Sequence, residues 1–135
     1  MPIRILLVDD NKQMREELRG LLERESDVEA VCEAASGETA VETALALSPD
    51  LILMDISMPD LNGIEATKRI LAKSPDQRIV VLSLLKDIRF AESALRAGAK
   101  GYVLKNRAFH ELTLAIRTVV SGGTYLSPDI PINFD

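Results

Sequence analysis

Tryptophan is missing from this 135-residue chain, and aromatic residues make up only 4% of it. The chain therefore has no platform on which to stack the bases of single-stranded nucleic acid. Basic residues are outnumbered, 16 Lys and Arg against 21 Asp and Glu, and the net charge of −5 argues against gripping nucleic acid by electrostatics alone. A single cysteine, Cys32, excludes an internal disulfide framework and fits a reducing compartment. It lies in an apolar run and reads as a small buried hydrophobe rather than a reactive thiol. No apolar run is long enough to cross a bilayer. The first run, 3–8, meets two acids at once, which is not the pattern of a signal peptide. With 47% apolar and 27% charged residues, the chain is neither disordered nor membrane-spanning. These exclusions leave one cytoplasmic globular domain with no membrane partner.

What is present is organised around residues 51–63. Leu51 to Met54 are all apolar, as expected of a strand buried on both faces of a parallel sheet. The run stops at Asp55, and Ser57, Met58-Pro59 and Asn62-Gly63 supply loop chemistry before a helix resumes. Further strands are expected at 3–8, 28–32, 79–82 and 102–104. The first helix carries Met14, Leu18, Leu21 and Leu22 on one face. Ser36 caps a second helix over 37–47, and Asn62 with Glu65 has capping-box spacing for a third over 63–73. A fourth spans 87–97 and stops at Gly98. The fifth, 107–121, presents Leu112, Ala115, Ile116 and Val119. Residues 124–135 hold two prolines and no period, and read as linker or tail.

Five strands alternating with five helices predict an α/β fold, a doubly wound five-stranded parallel sheet of the flavodoxin-like (βα)5 kind. All carboxyl ends of such a sheet face one edge. There the strands end in Asp9-Asp10, in Asp55, in Ser83 and in Lys105, while the second strand ends in Glu33-Ala34-Ala35 and offers less. That strand suits an edge, giving the order 2-1-3-4-5 with the crevice between the first and third strands. Each polar ending alone is an ordinary cap or turn residue; converging, they suggest a site.

Three carboxylates in one pocket repel one another, and a divalent cation relieves the repulsion. All-oxygen donors without His or Cys point to Mg²⁺, which prefers to share its shell with a phosphate. Asp55, alone on the central strand, is best placed as a carboxylate nucleophile. Lys105 supplies positive charge for a phosphoryl oxygen and Ser83 a hydroxyl.

The set D-D at 9–10, D-x-x-M-P at 55–59, Ser83 and G-Y-x-x-K at 101–105 resembles the receiver (CheY-like) domain of two-component response regulators. The resemblance covers about residues 2–121. The segments 94–105 and 121–128 look most like the NarL/FixJ type, in which the receiver is tethered to a helix-turn-helix DNA-binding domain. The resemblance implies that Asp55 is the phosphorylation site, not that a separate substrate is turned over as in an enzyme. It implies Mg²⁺ ligation by Asp10, Asp55 and the backbone carbonyl of Ser57, with Asp9 acting through a water. Lys105 would pair with the phosphoryl group, Ser83 would swing toward it, and Tyr102 would change rotamer, repacking the face of the fourth helix, fifth strand and fifth helix. The implied partners are a histidine kinase, a second copy of the chain after phosphorylation, and DNA only through an output domain beyond 122–135.

Two features depart from the family. Asn106 replaces the proline that often follows the lysine in a cis bond, and reads as a cap for the last helix. The helix-turn-helix is also missing, so the chain reads as a stand-alone receiver or, as the linker-like 122–128 favours, one excised from a longer regulator. Competing classes fit less well. An aspartate phosphatase of the haloacid dehalogenase type wants D-x-D-x-T after the first strand, where this chain has D-D-N-K-Q. A flavin binder wants a phosphate loop there, and paired acids would repel one. A degenerate receiver acting only by protein contacts would not need the complete pocket. Outside that set, His110 reads as a surface residue, and Arg89, Arg96 and Lys100 as a solvated helix face.

Overall fold

The computed structural model describes residues 2–56, 58, 61–84 and 88–128, the side chains of 108 and 109 apart. Its strands are β1 (Ile3–Val8), β2 (Val28–Ala34), β3 (Leu51–Asp55), β4 (Ile79–Ser83), β5 (Gly101–Leu104) and β6 (Tyr125–Leu126). Its helices are α1 (Lys12–Glu23), α2 (Gly37–Leu47), α3 (Gly63–Lys73), α4 (Ile88–Arg96) and α5 (Ala108–Val120), with a 3₁₀ turn over Lys105–Arg107. The sheet runs β2-β1-β3-β4-β5-β6, every pair parallel.

The two faces of the sheet are dictated by strand alternation. Leu6, Val8, Ile52, Met54, Val81 and Tyr102 face one way and pack with the small residues Ala40, Ala44, Ala66, Ala91 and Ala94 of α2, α3 and α4. Ile5, Leu7, Leu53, Val80, Leu82 and Val103 face the other way, against Leu18 and Leu22 of α1 and Leu112, Ala115, Ile116 and Val119 of α5. β3 and β4 are buried along their whole length because both faces are covered.

Caps fall largely where the sequence puts them. Ser36 Oγ accepts from Thr39 N–H and Asn62 Oδ1 from Glu65 N–H. Asn11 caps α1 through Met14 N–H, a cap that the apolar periodicity did not single out. Gly98 takes φ 108° after α4, which favours glycine. Gly63 answers a different demand. A Cβ there would lie 2.1 Å from the carbonyl oxygen of Asp55, so α3 begins in contact with the backbone that presents the acid.

Four expectations need correction. The sheet has a sixth strand: Tyr125 N–H donates to Lys100 O and Ser127 N–H to Tyr102 O, so part of the expected tail closes the β5 edge. A two-residue strand is too short to leave an alternating pattern, and nearby prolines disguise it. β2 runs on to Ala34, two residues past the expected end, because its register with β1 holds through Val8. Cys32 is exposed, since β2 is an edge strand on which only Val31 and Ala34 are buried. Asn106 caps nothing: it lies within the 3₁₀ turn, and α5 starts without a side-chain cap. No peptide bond among the described residues is cis, the one between Lys105 and Asn106 included. Arg96, 82% exposed and paired at i,i+4 with Glu92, belongs to a solvated helix face as expected.

Candidate functional site

Register alone brings the acids together. Val8 stands opposite Met54, so neighbouring strands run in step into Asp9 and Asp55. Asp55 lies opposite Leu82, and Ser83 opposite Leu104, so Ser83 and then Lys105 leave the next two strands at the same edge. The order β2-β1-β3 places the reversal of winding between β1 and β3, where open α/β sheets hold ligands.

Asp9 and Asp55 are buried and Asp10 is exposed at the mouth. Each offers a carboxylate oxygen, and these oxygens lie within 4.8 Å of one another. Lys105 reaches into the group, its Nζ 2.8 Å from Asp9 Oδ2 and 3.0 Å from Asp55 Oδ1. Burial pushes the ammonium pKa down, but the hydrogen bonds and charges of Asp9 and Asp55 outweigh it and hold the pKa above the usual lysine value. One ammonium thus serves a cluster of three carboxylates and pairs with two of them.

Asp9 is held on both sides. Its Oδ1 accepts from Asn11 N–H at 2.9 Å. Oδ2 is buried against the Lys105 ammonium, 2.8 Å away. Three carboxylates against one ammonium leave negative charge to spare, and an all-oxygen cluster of that kind fits a hard divalent cation.

Ser83 is buried at the end of β4. Tyr102 is fully buried against the α4 side of the sheet. Ser57 lies outside the described residues, as does Pro59. Met58, expected only to shape the loop, is buried in the core beside Ile56. His110 is exposed, away from the acids in sequence and burial alike.

The sequence reading missed the supports of this site. Arg15 Nη1 donates to the carbonyl oxygen of Asp9 at 2.6 Å, and its Nε pairs with Glu33 at 2.9 Å. Glu33 also pairs with Arg19, which holds Val31 O at 2.7 Å. Burial pushes the Glu33 carboxyl pKa up, but the hydrogen bonds from Arg19 and Arg15 prevail and hold it below the usual range. On the other side, the buried Glu111 accepts from Tyr125 Oη, Ser127 Oγ and Arg107 Nε. One signal was available: Glu111 lies four residues before Ala115 and next to Leu112, an acid on the edge of the core-facing stripe of α5.

The chain matches the family described as response regulator receiver domain over residues 5–117. It belongs to that family. The receiver is similar to the transcriptional regulatory protein DegU of Brevibacillus brevis, 38% identical over 131 residues, covering 97% of this chain and 56% of the relative. It is also similar to the response regulator UvrY of Escherichia coli, 39% identical over 128 residues, covering 95% of this chain and 59% of the relative. The chain thus spans a little under three fifths of these curated relatives. Among solved structures, a LuxR-family two-component response regulator from Aurantimonas sp. SI85-9A1 superposes with a TM-score of 0.93 at 38% identity, covering 96% of this chain and 93% of that one. This is a receiver of the NarL/FixJ type, and it works in two-component signalling.

Proposed function

We propose that this receiver accepts a phosphoryl group from a histidine kinase on Asp55 and passes the change to an output domain through the α4-β5-α5 face. The observation that carries the reading is the Lys105 ammonium, 3.0 Å from Asp55 Oδ1 inside a three-acid cluster at the sheet's switch point. A carboxylate oxygen of Asp55 attacks phosphorus, the bond from phosphorus to the donor's imidazole nitrogen breaks, and the leaving imidazole keeps the electron pair and takes up a proton. Mg²⁺ is the cation that this donor set suits, and when bound it neutralises charge on the phosphoryl oxygens. Asp10, Asp55 and the Ser57 carbonyl would hold it, with Asp9 acting through a water.

Lys105 then exchanges its contact with Asp55 for a phosphoryl oxygen, a charge-assisted pair largely shielded from solvent. Ser83 turns its hydroxyl toward the same group, and Tyr102 repacks behind it. The bistable element is the packing of α4 and α5 on β5, biased by a new local charge. In the parent protein the receiver would run through β6 to Ser127, and the residues after it would lead toward a helix-turn-helix domain that binds DNA in the cytoplasm. Phosphorylation would favour a homodimer.

Hydrogen exchange with and without Mg²⁺ and beryllofluoride tests the switch. Beryllofluoride stands in for the phosphoryl group on Asp55. Exchange in residues 88–107 should change in the wild type and stay fixed in Asp55→Asn. No change in the wild type would overturn the proposal.

A further inference from the structure

The stem of a lysine is flexible, so where its ammonium rests depends on how firmly its backbone is held. Around Lys105 that backbone is held from both sides by one carboxylate. Upstream, Leu104 N–H donates to Ser127 Oγ at 2.9 Å, and Ser127 Oγ donates in turn to Glu111 Oε1 at 2.8 Å. Downstream, at the far end of the 3₁₀ turn, Arg107 Nε donates to Glu111 Oε2 at 2.8 Å. Tyr125 Oη adds a third donor to Oε1 at 3.0 Å.

Glu111 is only 5% exposed, and a buried carboxylate persists only where donors replace its lost water. Two of its three donors come from the segment that closes the sheet edge. That segment is itself fixed to β5 by backbone bonds, from Tyr125 N–H to Lys100 O and from Ser127 N–H to Tyr102 O.

We infer that Glu111, acting through Ser127 and Arg107, is a positioning residue for Lys105, and that residues 125–127 are part of the framework of the phosphoryl site. The inference rests on Asp55 being the acceptor. Removing the Ser127 hydroxyl orphans Leu104 N–H and frees the residue before Lys105. The ammonium then spends less time within reach of Asp55, while the acids that hold the cation are untouched. It also follows that motion of Lys105 on phosphorylation is felt directly by the segment leading out of the domain.

The test uses the full chain as wild type, Ser127→Ala, Ser127→Thr and Glu111→Gln. The rate of Asp55 acylphosphate formation from acetyl phosphate is followed across a Mg²⁺ series, at a temperature where every variant is folded by circular dichroism. Ser127→Ala should lower the maximal rate by about tenfold, the scale of a modest misplacement of a reacting group. The Mg²⁺ concentration giving half the maximal rate should not rise, and Ser127→Thr, which keeps a hydroxyl, should recover most of the loss. Glu111→Gln should fall between wild type and Ser127→Ala, because an amide accepts from Ser127 but turns its NH₂ toward Arg107. Exchange of Leu104 N–H should quicken in step with the loss of rate. A folded Ser127→Ala with the wild-type rate would overturn the inference, as would a loss of rate shared with a raised Mg²⁺ requirement. A wild type that takes up no phosphoryl group would instead overturn the assignment of Asp55, and with it this role for Glu111.

Discussion

Each side of the crevice is braced by a glutamate outside the reacting groups, Glu33 on β2 and Glu111 on α5, and the two braces differ in burial. At the β2 edge, Glu33 gathers Arg15 and Arg19, and Arg15 holds the carbonyl of Asp9. These side chains stay in partial contact with water, 14% exposed for Arg15, 36% for Arg19 and 28% for Glu33. At the β6 edge, Glu111 gathers Arg107, Tyr125 and Ser127, and Ser127 holds the amide of Leu104. Its side chain is 7% exposed. The chemistry is alike: a carboxylate collects donors, one of which grips the backbone beside a functional residue. What differs is the cost of breaking it. Water can replace a lost partner at Glu33, whereas at Glu111 the buried Ser127 hydroxyl would be left without its acceptor.

The largest effect expected from this contrast is on Glu111→Ala. Three donors lose their acceptor, the buried Ser127 among them, and unfolding in urea should show a loss of about 2–4 kcal/mol. Tyr125→Phe removes one donor and leaves the carboxylate two others, so its cost should be about 1 kcal/mol in the same measurement. Glu33→Ala should cost about 1 kcal/mol or less, and the difference from wild type should shrink further in high salt. Equal losses for Glu33→Ala and Glu111→Ala, or a strong salt dependence of the latter, would break the comparison.

The two braces should also respond to pH with opposite sign. Burial first, and the Glu111 carboxylate second, push the Tyr125 hydroxyl up to about 12 from the ordinary 10.0. A raised folded-state pKa contributes stability that is complete below the unfolded value and lost as pH climbs through the folded one. Stability from Tyr125 should therefore fall between about pH 10 and 12, and Tyr125→Phe should flatten that part of the curve. Glu33, whose pKa is lowered, contributes stability present above the ordinary carboxyl range and lost as acid brings the pH down through its folded value. Absorbance titration of the tyrosines and urea midpoints across pH would check both limbs.

The same contrast separates what was legible in the sequence from what was not. Asp9, Asp10, Asp55, Ser83 and Lys105 could be read because a buried parallel strand has a hard end. The first polar residue after an apolar run marks the sheet's carboxyl edge, and the edge assembles the site. The five-stranded order could be read for the same reason. The braces carry no such mark. Arg15, Arg19 and Glu33 look like any charged residues on a helix and an edge strand, since ion pairs across elements have no period. Glu111 left a faint trace beside the α5 stripe, but its partners Tyr125 and Ser127 sat in a segment whose prolines and shortness read as linker. Cys32 was misread because an apolar composition does not reveal that β2 has only one neighbour. Long-range partners of short or exposed segments are set by the tertiary fold, which local patterns do not encode.

The central claim is that Asp55, with Lys105 beside it, takes a phosphoryl group. Intact mass after incubation with Mg²⁺ and acetyl phosphate tests it most directly, on the wild type and on Asp55→Asn. One phosphoryl adduct on the wild type, lost in hydroxylamine and absent from the variant, is the predicted result. No adduct at any Mg²⁺ concentration, or an adduct that survives in Asp55→Asn, would contradict it.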